Sequence, residues 1–494
     1  MHRVPSLAEL ESAIADLSLE LDPQLMRDIG YRAIDWIVRR QTGMRESTLG
    51  HELARNETEA LLREAMPEEG LDLRRVFDLF EKKVAPNVVH VDHPMFFGFI
   101  PSAPTYVSML ADALVAGSNI FAGTWFESSG PSQVEIIVID WFKQMMGLPA
   151  GAAGLLVSGG SVATLTALAV ARHAILQDET ENAVVYLSDQ THASVDRALR
   201  LLNFRPSQLR RIPTDSSLRL DTGKLREGII LDVRNGLRPF AVIANAGTTN
   251  TGAIDPMGEI SAMAREHGIW MHVDAAYGGF VALTERGRKL LAGIELADSV
   301  VLDPHKWFYC GYEAGCVIVR ERGLLRETFK ILPEYMTDVG RAEQEVNFCD
   351  YGVQLTRAFR ALKVWMTVKT FGARRLREII DQCMDLTEYA GLLFSQSPRI
   401  EITTPPSLGV FSFRYIPEAA RGTANEEHLN RINAGLVTRA IQSRQIVLSS
   451  TRLGSRLVVR FCILNHRTRR EDIRKALRLI ENFGRESAAS TGQI

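Results

Sequence analysis

Ser299-Val300-Val301-Leu302-Asp303-Pro304-His305-Lys306-Trp307 is the stretch on which the reading of the chain turns. Four small or apolar residues read as a short buried strand, and Asp303-Pro304 ends it. The lysine that follows stands between a histidine and a tryptophan. Among such neighbours an ammonium loses hydration, which lowers its pKa, and a neutral lysine forms imines with carbonyls. A solvated surface lysine is the ordinary alternative, and it fits Pro304 and Trp307 poorly.

Three more strand-like runs upstream end in polar residues. Trp270-Met271-His272-Val273 runs into Asp274-Ala275-Ala276-Tyr277, where a carboxylate suits a cationic partner such as a protonated ring nitrogen. Ala276 leaves room there for a flat ring, though Asp274 would serve equally as a helix cap. Ala183–Leu187 leads through Ser188-Asp189-Gln190-Thr191 to His192, which is placed to stack on a ring or move protons, or is simply structural. Leu156-Val157 runs into Ser158-Gly159-Gly160-Ser161, where glycines and a helix N-terminus suit an anion, or Ser161 caps an ordinary helix. No Gly-Lys-Ser/Thr follows, so this is no Walker loop, and Rossmann spacing is absent. Each signal is modest alone. Together they supply a phosphate cradle, a ring stacker, a pyridinium partner and an imine-forming amine, the requirements for binding pyridoxal 5'-phosphate.

The runs Ala183–Leu187, Phe240–Ala244, Ile269–Val273, Ser299–Leu302 and Gly315–Val319 are separated by helix-length spacers. That pattern predicts an α/β fold with a mostly parallel central sheet flanked by helices and ligands at the strands' carboxyl ends. Residues 1–86 read as a helical segment, with Leu25, Ile29, Ala33, Ile34 and Ile37 at helical spacing. Residues 87–372 form the large domain and 373–494 a small α+β domain. The latter has strands near Gly409–Arg414 and Arg456–Cys462, a helix at Glu471–Phe483 and a frayed tail from Glu486.

The chain carries 57 basic and 59 acidic side chains, a formal charge of −2, which argues against a phosphate-tracking nucleic-acid binder. Five scattered cysteines without Cys-x-x-Cys spacing exclude a disulfide scaffold and an evident metal site, and favour a reducing compartment. Val162–Ala171 is too short to span a membrane, and the N-terminal residues have no apolar signal core, so a soluble cytoplasmic protein is expected.

The four motifs, in this order, resemble those of the pyridoxal-phosphate-dependent group II decarboxylases, the family of aromatic-L-amino-acid, tyrosine, histidine and glutamate decarboxylases. The likeness extends to His93-Pro94-Met95-Phe96-Phe97-Gly98-Phe99, to Gly247-Thr248-Thr249-Asn250-Thr251-Gly252-Ala253-Ile254-Asp255-Pro256, and to Cys462-Ile463-Leu464-Asn465-His466-Arg467. It implies the pyridoxal-phosphate fold type I, aspartate-aminotransferase-like, and decarboxylation of an L-amino acid through a Lys306 aldimine and a quinonoid. By this resemblance Asp274 pairs with the pyridine nitrogen, while His192 and Ala276 take the two ring faces. Gly160, Ser161, Asp303 and His305 surround the phosphate, and Thr249 lies near the cofactor. Tyr335, on the loop Leu332-Pro333-Glu334-Tyr335, donates the proton to the product with His192 assisting.

The substrate positions so implied are Phe99, Ile100, Pro101, Ser102, His192 and, from the partner of a homodimer with shared sites, Phe121. They are mostly apolar, as an aromatic side chain would want, and include no arginine for the distal carboxylate of glutamate, so an aromatic substrate is expected, with glutamate or diaminobutyrate as non-aromatic alternatives. Val91 and Gly123 stand where animal aromatic decarboxylases carry tryptophan and phenylalanine, which implies a wider pocket. The alternatives are oxidative deamination to an aldehyde and a cofactor-binding regulatory protein without turnover.

Overall fold

Seven strands build the central sheet: β1 Ala153–Val157, β2 Ala183–Ser188, β3 Leu209–Ile212, β4 Arg238–Asn245, β5 Trp270–Asp274, β6 Ser299–Leu302 and β7 Gly315–Val319. The computed structural model describes residues 5–14, 18–331, 345–418 and 425–491. Sheet order is β1-β7-β6-β5-β4-β2-β3, with β7 antiparallel to both neighbours and all other pairs parallel. Strands β2, β5 and β6 read as continuous apolar runs because both faces are covered by helices. Among those helices is Gly160–Ala171, most of whose residues are buried.

The lone antiparallel strand shapes the site. Leu302 on β6 pairs with Cys316 on β7, so β7 begins at the edge where the parallel strands end. The connection between them, residues 303–314, therefore starts and ends over the carboxyl edge of the sheet, and it carries Asp303, His305 and Lys306.

β1 is the apolar lead-in to the glycine loop. One strand of this sheet, β3, escaped the sequence reading. β3, Leu-Arg-Arg-Ile, is an edge strand whose arginines answer Asp232 and Asp196 instead of packing inward.

The chain divides into two compact units, Met1–Val89 and His90–Ile494. The first contains helices Leu7–Ala13, Pro23–Thr42, Arg55–Leu62 and Leu73–Leu79. Asp22 caps the second by accepting from the Gln24 and Leu25 amides, with Pro23 in the first turn. Trp36 meets Phe80 edge-on at 5.1 Å, yet no residue of these four helices is buried.

In the second unit the last strands, β8 Ile400–Ser407, β9 Val410–Tyr415, β10 Ser449–Leu453 and β11 Arg456–Cys462, form an antiparallel sheet in the order β10-β11-β9-β8. Phe97, Phe394, Phe411, Phe413 and Phe461 fill its apolar side, and Phe97 stacks on Phe461 at 4.1 Å. β8 holds Pro405 and Pro406, tolerated because it is an edge strand, which hid it from a pattern reading.

Of the tail expected to fray, the described residues 486–491 are instead helix. Arg470–Thr491 is continuous, with the Ser487 hydroxyl donating to the Ile432 carbonyl at 2.8 Å and Arg439 donating to Ser490. Serine and alanine there serve close helix packing.

Candidate active site

The carboxyl ends of β1, β2, β4, β5 and β6 border one cavity of about 410 Å³. It is lined by Gly160, Ser161, His192, Thr249, Asp274, Ala276, Asp303, His305 and Lys306, which the sequence singled out, and by Asn245, Thr248, Ser194, Tyr277 and Glu313, which it did not assign. Phe99, Ile100, Pro101, Ser102 and Phe121 are outside that lining. Ser102 donates to the His305 carbonyl, and the Phe99 amide donates to the Ser449 hydroxyl at 3.0 Å. Tyr335 and the rest of Leu332–Tyr335 lie outside the described residues.

Gly160 opens its helix against the cavity wall. A Cβ at this position would stand 2.8 Å from Asp303 Oδ2 and 3.3 Å from the Ala276 methyl, so the close approach of these segments requires glycine. At the start of that helix the Val162 and Ala163 amides donate to the Gly159 carbonyl at 3.0 Å each, which leaves the Gly160 and Ser161 amides without a partner in the helix.

His192 caps the helix Ala193–Leu201, its Nδ1 accepting from the Ser194 amide at 3.2 Å and lying 2.8 Å from the Ser194 hydroxyl. Nε2 is the ring nitrogen this leaves for the cavity. Asp274 ends β5 in register with Asn245 on β4 and Val301 on β6, and its Oδ1 accepts from the Ala276 amide at 3.1 Å. Behind the cavity, Tyr277 stacks on Trp307 at 5.6 Å and accepts from the Gly409 amide at 2.9 Å.

Lys306 Nζ lies 3.0 Å from Asp303 Oδ2, and His305 Nε2 lies 3.6 Å from the same oxygen. The expected fall in the lysine pKa does not occur in the free chain. Burial works against the ammonium, but the carboxylates of Asp303 and Asp274 outweigh it and raise the pKa above its ordinary value. Burial, opposed by Asp303, holds the His305 imidazole below its usual range.

Arg460, nearly fully buried, ties distant loops together. Its guanidinium donates to the carbonyls of Thr249, Asn250 (3.1 Å) and Phe99 (3.2 Å) and to the Ser449 hydroxyl (3.0 Å). Asp255 does similar work deeper down, accepting from the Asn245 amide and side chain at 2.8 Å each and from the Leu220 amide at 2.7 Å.

A model of the pyridoxal-dependent decarboxylase conserved domain matches residues 56–416. The chain belongs to the pyridoxal-dependent decarboxylase family. It is 40% identical over 478 residues to an aromatic-L-amino-acid decarboxylase from Bacillus atrophaeus, covering 96% of this chain and 98% of that protein. A phenylacetaldehyde synthase from Arabidopsis thaliana is 29% identical over 485 residues, covering 96% and 98%. The crystal structure of Oryza sativa TDC with PLP and tryptamine superimposes with a TM-score of 0.90 at 28% identity, covering 95% of this chain and 99% of that one.

This decarboxylase has a cavity that fits pyridoxal phosphate. The Gly160 and Ser161 amides and the Ser161 hydroxyl suit an anion, Lys306 suits the aldehyde, and Asp274 suits a protonated ring nitrogen. Among the described residues the buried Oδ1 of Asp303 has no hydrogen-bond partner, which leaves an open acceptor at the cavity.

Beneath the cavity, His272 is fully buried with Nδ1 2.8 Å from the Ser299 hydroxyl, which itself accepts from Trp270 Nε1. Burial drives its pKa down to about 4, and that of His466 down to about 3. Both rings are neutral in the fold and titrate near ~6.5 once unfolded. Their contribution to stability is complete above ~pH 6.5 and is lost as pH falls toward the folded values. Urea midpoints are therefore expected to drop between about pH 7 and pH 5, and the gap between wild type and His272→Asn to narrow over that range. A gap that stays constant with pH would contradict this.

Proposed function

We propose that this decarboxylase acts on aromatic L-amino acids, releasing the amine and carbon dioxide, as a cytoplasmic homodimer. The observation that carries the reading is the convergence of four separated strand-end motifs on one cavity in a chain 40% identical to an aromatic-L-amino-acid decarboxylase. When bound, pyridoxal phosphate supplies an electron sink for the pair left as the α-carboxylate departs. Lys306 holds the cofactor covalently, Gly160, Ser161 and His305 hold its phosphate, and Asp303 balances the charge of Lys306. Asp274 keeps a proton at the ring nitrogen, His192 and Ala276 flank the ring, and Thr249 closes one side. Tyr335, with His192, delivers a proton to the α-carbon, a phenolic hydroxyl acting as the general acid.

Support for the dimer comes from the first unit, where Leu7, Ile14, Tyr31 and Met66 are exposed and no helix buries a residue. Residues 1–86 would form the dimerisation arm, 87–372 the cofactor domain and 373–494 the small domain. The five cysteines, all free and buried, accord with a reducing cytoplasm.

The purified, cofactor-loaded protein should be assayed against the twenty amino acids plus DOPA and 5-hydroxytryptophan. Amine and carbon dioxide in equal amounts from aromatic substrates are expected. Turnover confined to glutamate or diaminobutyrate would overturn the substrate class.

Aldehyde formation is the second reading, favoured by the phenylacetaldehyde synthase among the relatives. Having both Tyr335 and His192 supports simple decarboxylation. Tyr335→Phe is expected to shift product toward aldehyde, ammonia and peroxide; an unchanged amine-to-aldehyde ratio would remove Tyr335 as the donor.

Substrate size depends on Gly123. The space that a side chain at position 123 would need is taken by the ring of Phe121, whose Cε1 would stand 2.8 Å from a Cβ there. Loss of a ring at 123 thus leaves room for Phe121 rather than an open void. Gly123→Ala is expected to displace that ring and to change the tryptophan-to-tyrosine ratio of kcat/KM by about tenfold. A ratio unchanged by the substitution would separate Phe121 from substrate choice.

A further inference from the structure

The connection that carries Lys306 ends in a turn, Gly311–Ala314, whose main-chain carbonyls converge on a buried cation. Lys363, in the first turn of the helix Ala361–Ser395, is 4% exposed. Its Nζ lies 2.8 Å from Asp112 Oδ1, and it donates to the carbonyls of Gly311 (3.3 Å), Tyr312 (3.3 Å) and Glu313 (3.4 Å). Three consecutive carbonyls aimed at one point form the kind of oxygen cage that replaces water around a monovalent cation. Without a charge at its centre, their dipoles repel and their lone pairs are left unpaired.

What the turn does next is specific. The Ala314 amide donates to His305 Nδ1 at 3.3 Å, and the His305 amide donates to the Ala314 carbonyl at 3.3 Å. With Nδ1 accepting, the ring proton sits on Nε2, the nitrogen 3.6 Å from Asp303. Glu313 lines the cavity from the same turn, whereas neither Lys363 nor Asp112 does.

We propose that Lys363 is a built-in cation that shapes the cofactor cavity: it organises the Gly311–Ala314 turn and, through the Ala314 amide, fixes the orientation and tautomer of His305. Lys363 is thus a positioning residue. The proposal rests on pyridoxal phosphate occupying this cavity, and its readout, cofactor affinity without substrate, is independent of which amino acid is turned over.

The test titrates pyridoxal phosphate into apo-protein, followed by quenching of tryptophan fluorescence. Lys363→Met is expected to weaken binding about tenfold, and His305→Gln to weaken it comparably. The double variant should bind no more weakly than His305→Gln alone, since the lysine acts through the histidine. In Lys363→Ala, n-propylammonium is expected to restore affinity where n-propanol does not. Unaltered affinity in Lys363→Met, fully additive losses in the double variant, or equal effects of the amine and the alcohol would each overturn the proposal. Should Lys363→Met fail to fold, Asp112→Asn keeps the lysine and removes its counter-charge. It is expected to weaken binding severalfold, and affinity equal to wild type would count against the idea. A Lys306→Ala protein that still binds cofactor covalently would instead fault the site assignment, leaving the two failures distinguishable.

Discussion

Lys306→Ala is expected to abolish covalent retention of the cofactor and to lower turnover by about 10⁴-fold or more, the scale seen when a nucleophile is removed. In the free chain Lys306 is an ammonium, held charged by Asp303 and Asp274 against the pull of burial. To attack a carbonyl it must lose a proton, and Asp303 Oδ2, 3.0 Å away, is the acceptor in reach. Borohydride treatment of the wild type should add the cofactor's mass to the peptide containing Lys306, and the variant should show no such addition. Lys306→Arg separates charge from nucleophilicity: it preserves the pairing with Asp303 and restores stability without restoring the adduct. In Lys306→Ala, by contrast, Asp303 is a buried carboxylate without its nearest cation, a loss that costs about 3–5 kcal/mol when nothing compensates. Retention of adduct and turnover in Lys306→Ala would remove this residue from the chemistry.

How much of this was legible in the sequence follows from where the chemistry sits. Residues that end parallel strands were readable, because a run of buried apolar residues stopping at Asp274 or Asp303 is visible without coordinates. Asn245 obeys the same rule at the end of β4 and was open to it. Residues that reach the site from elsewhere were not legible. Arg460 sits mid-strand in the second sheet, and Lys363 opens a helix far along the chain, where each reads as a surface charge. Only folding brings their cations against the carbonyls of Thr249 and Gly311.

The misread elements have equally physical causes. β3 carries two arginines and β8 two prolines, both acceptable at a sheet edge and both contrary to strand pattern. The Ser/Ala-rich tail looked frayed because the buried apolar stripe of its helix, Ile473, Ala476, Ile480 and Phe483, stops before it, and close packing as at Ser487 holds the last turns. The direction of the Lys306 shift was misjudged because apolar sequence neighbours announce desolvation. The opposing carboxylate of Asp274 comes from a different strand, and no local window contains both.

That strand-to-strand pairing makes Asp274→Asn the more informative companion variant. The carboxamide keeps the shape, and its oxygen still accepts from the Ala276 amide now bonded at 3.1 Å to Oδ1. What disappears is one negative charge, with three consequences of known sign. Lys306 loses one of the two carboxylates that raise its pKa, so its amine is neutral at lower pH. His272, whose pKa Asp274 raises against a larger burial effect, becomes harder still to protonate. On the role proposed for Asp274, the cofactor's ring nitrogen would lose the counter-charge that keeps its proton, and with it the fixed charge placed where the reaction needs an electron sink. The first effect favours formation of the Lys306 bond and the last opposes turnover, so the two separate experimentally. Adduct formation on Lys306 is expected to persist in Asp274→Asn, while kcat falls about 10²–10³-fold with a much smaller change in KM. A kcat within threefold of wild type would show that the carboxylate's charge is not what drives the step.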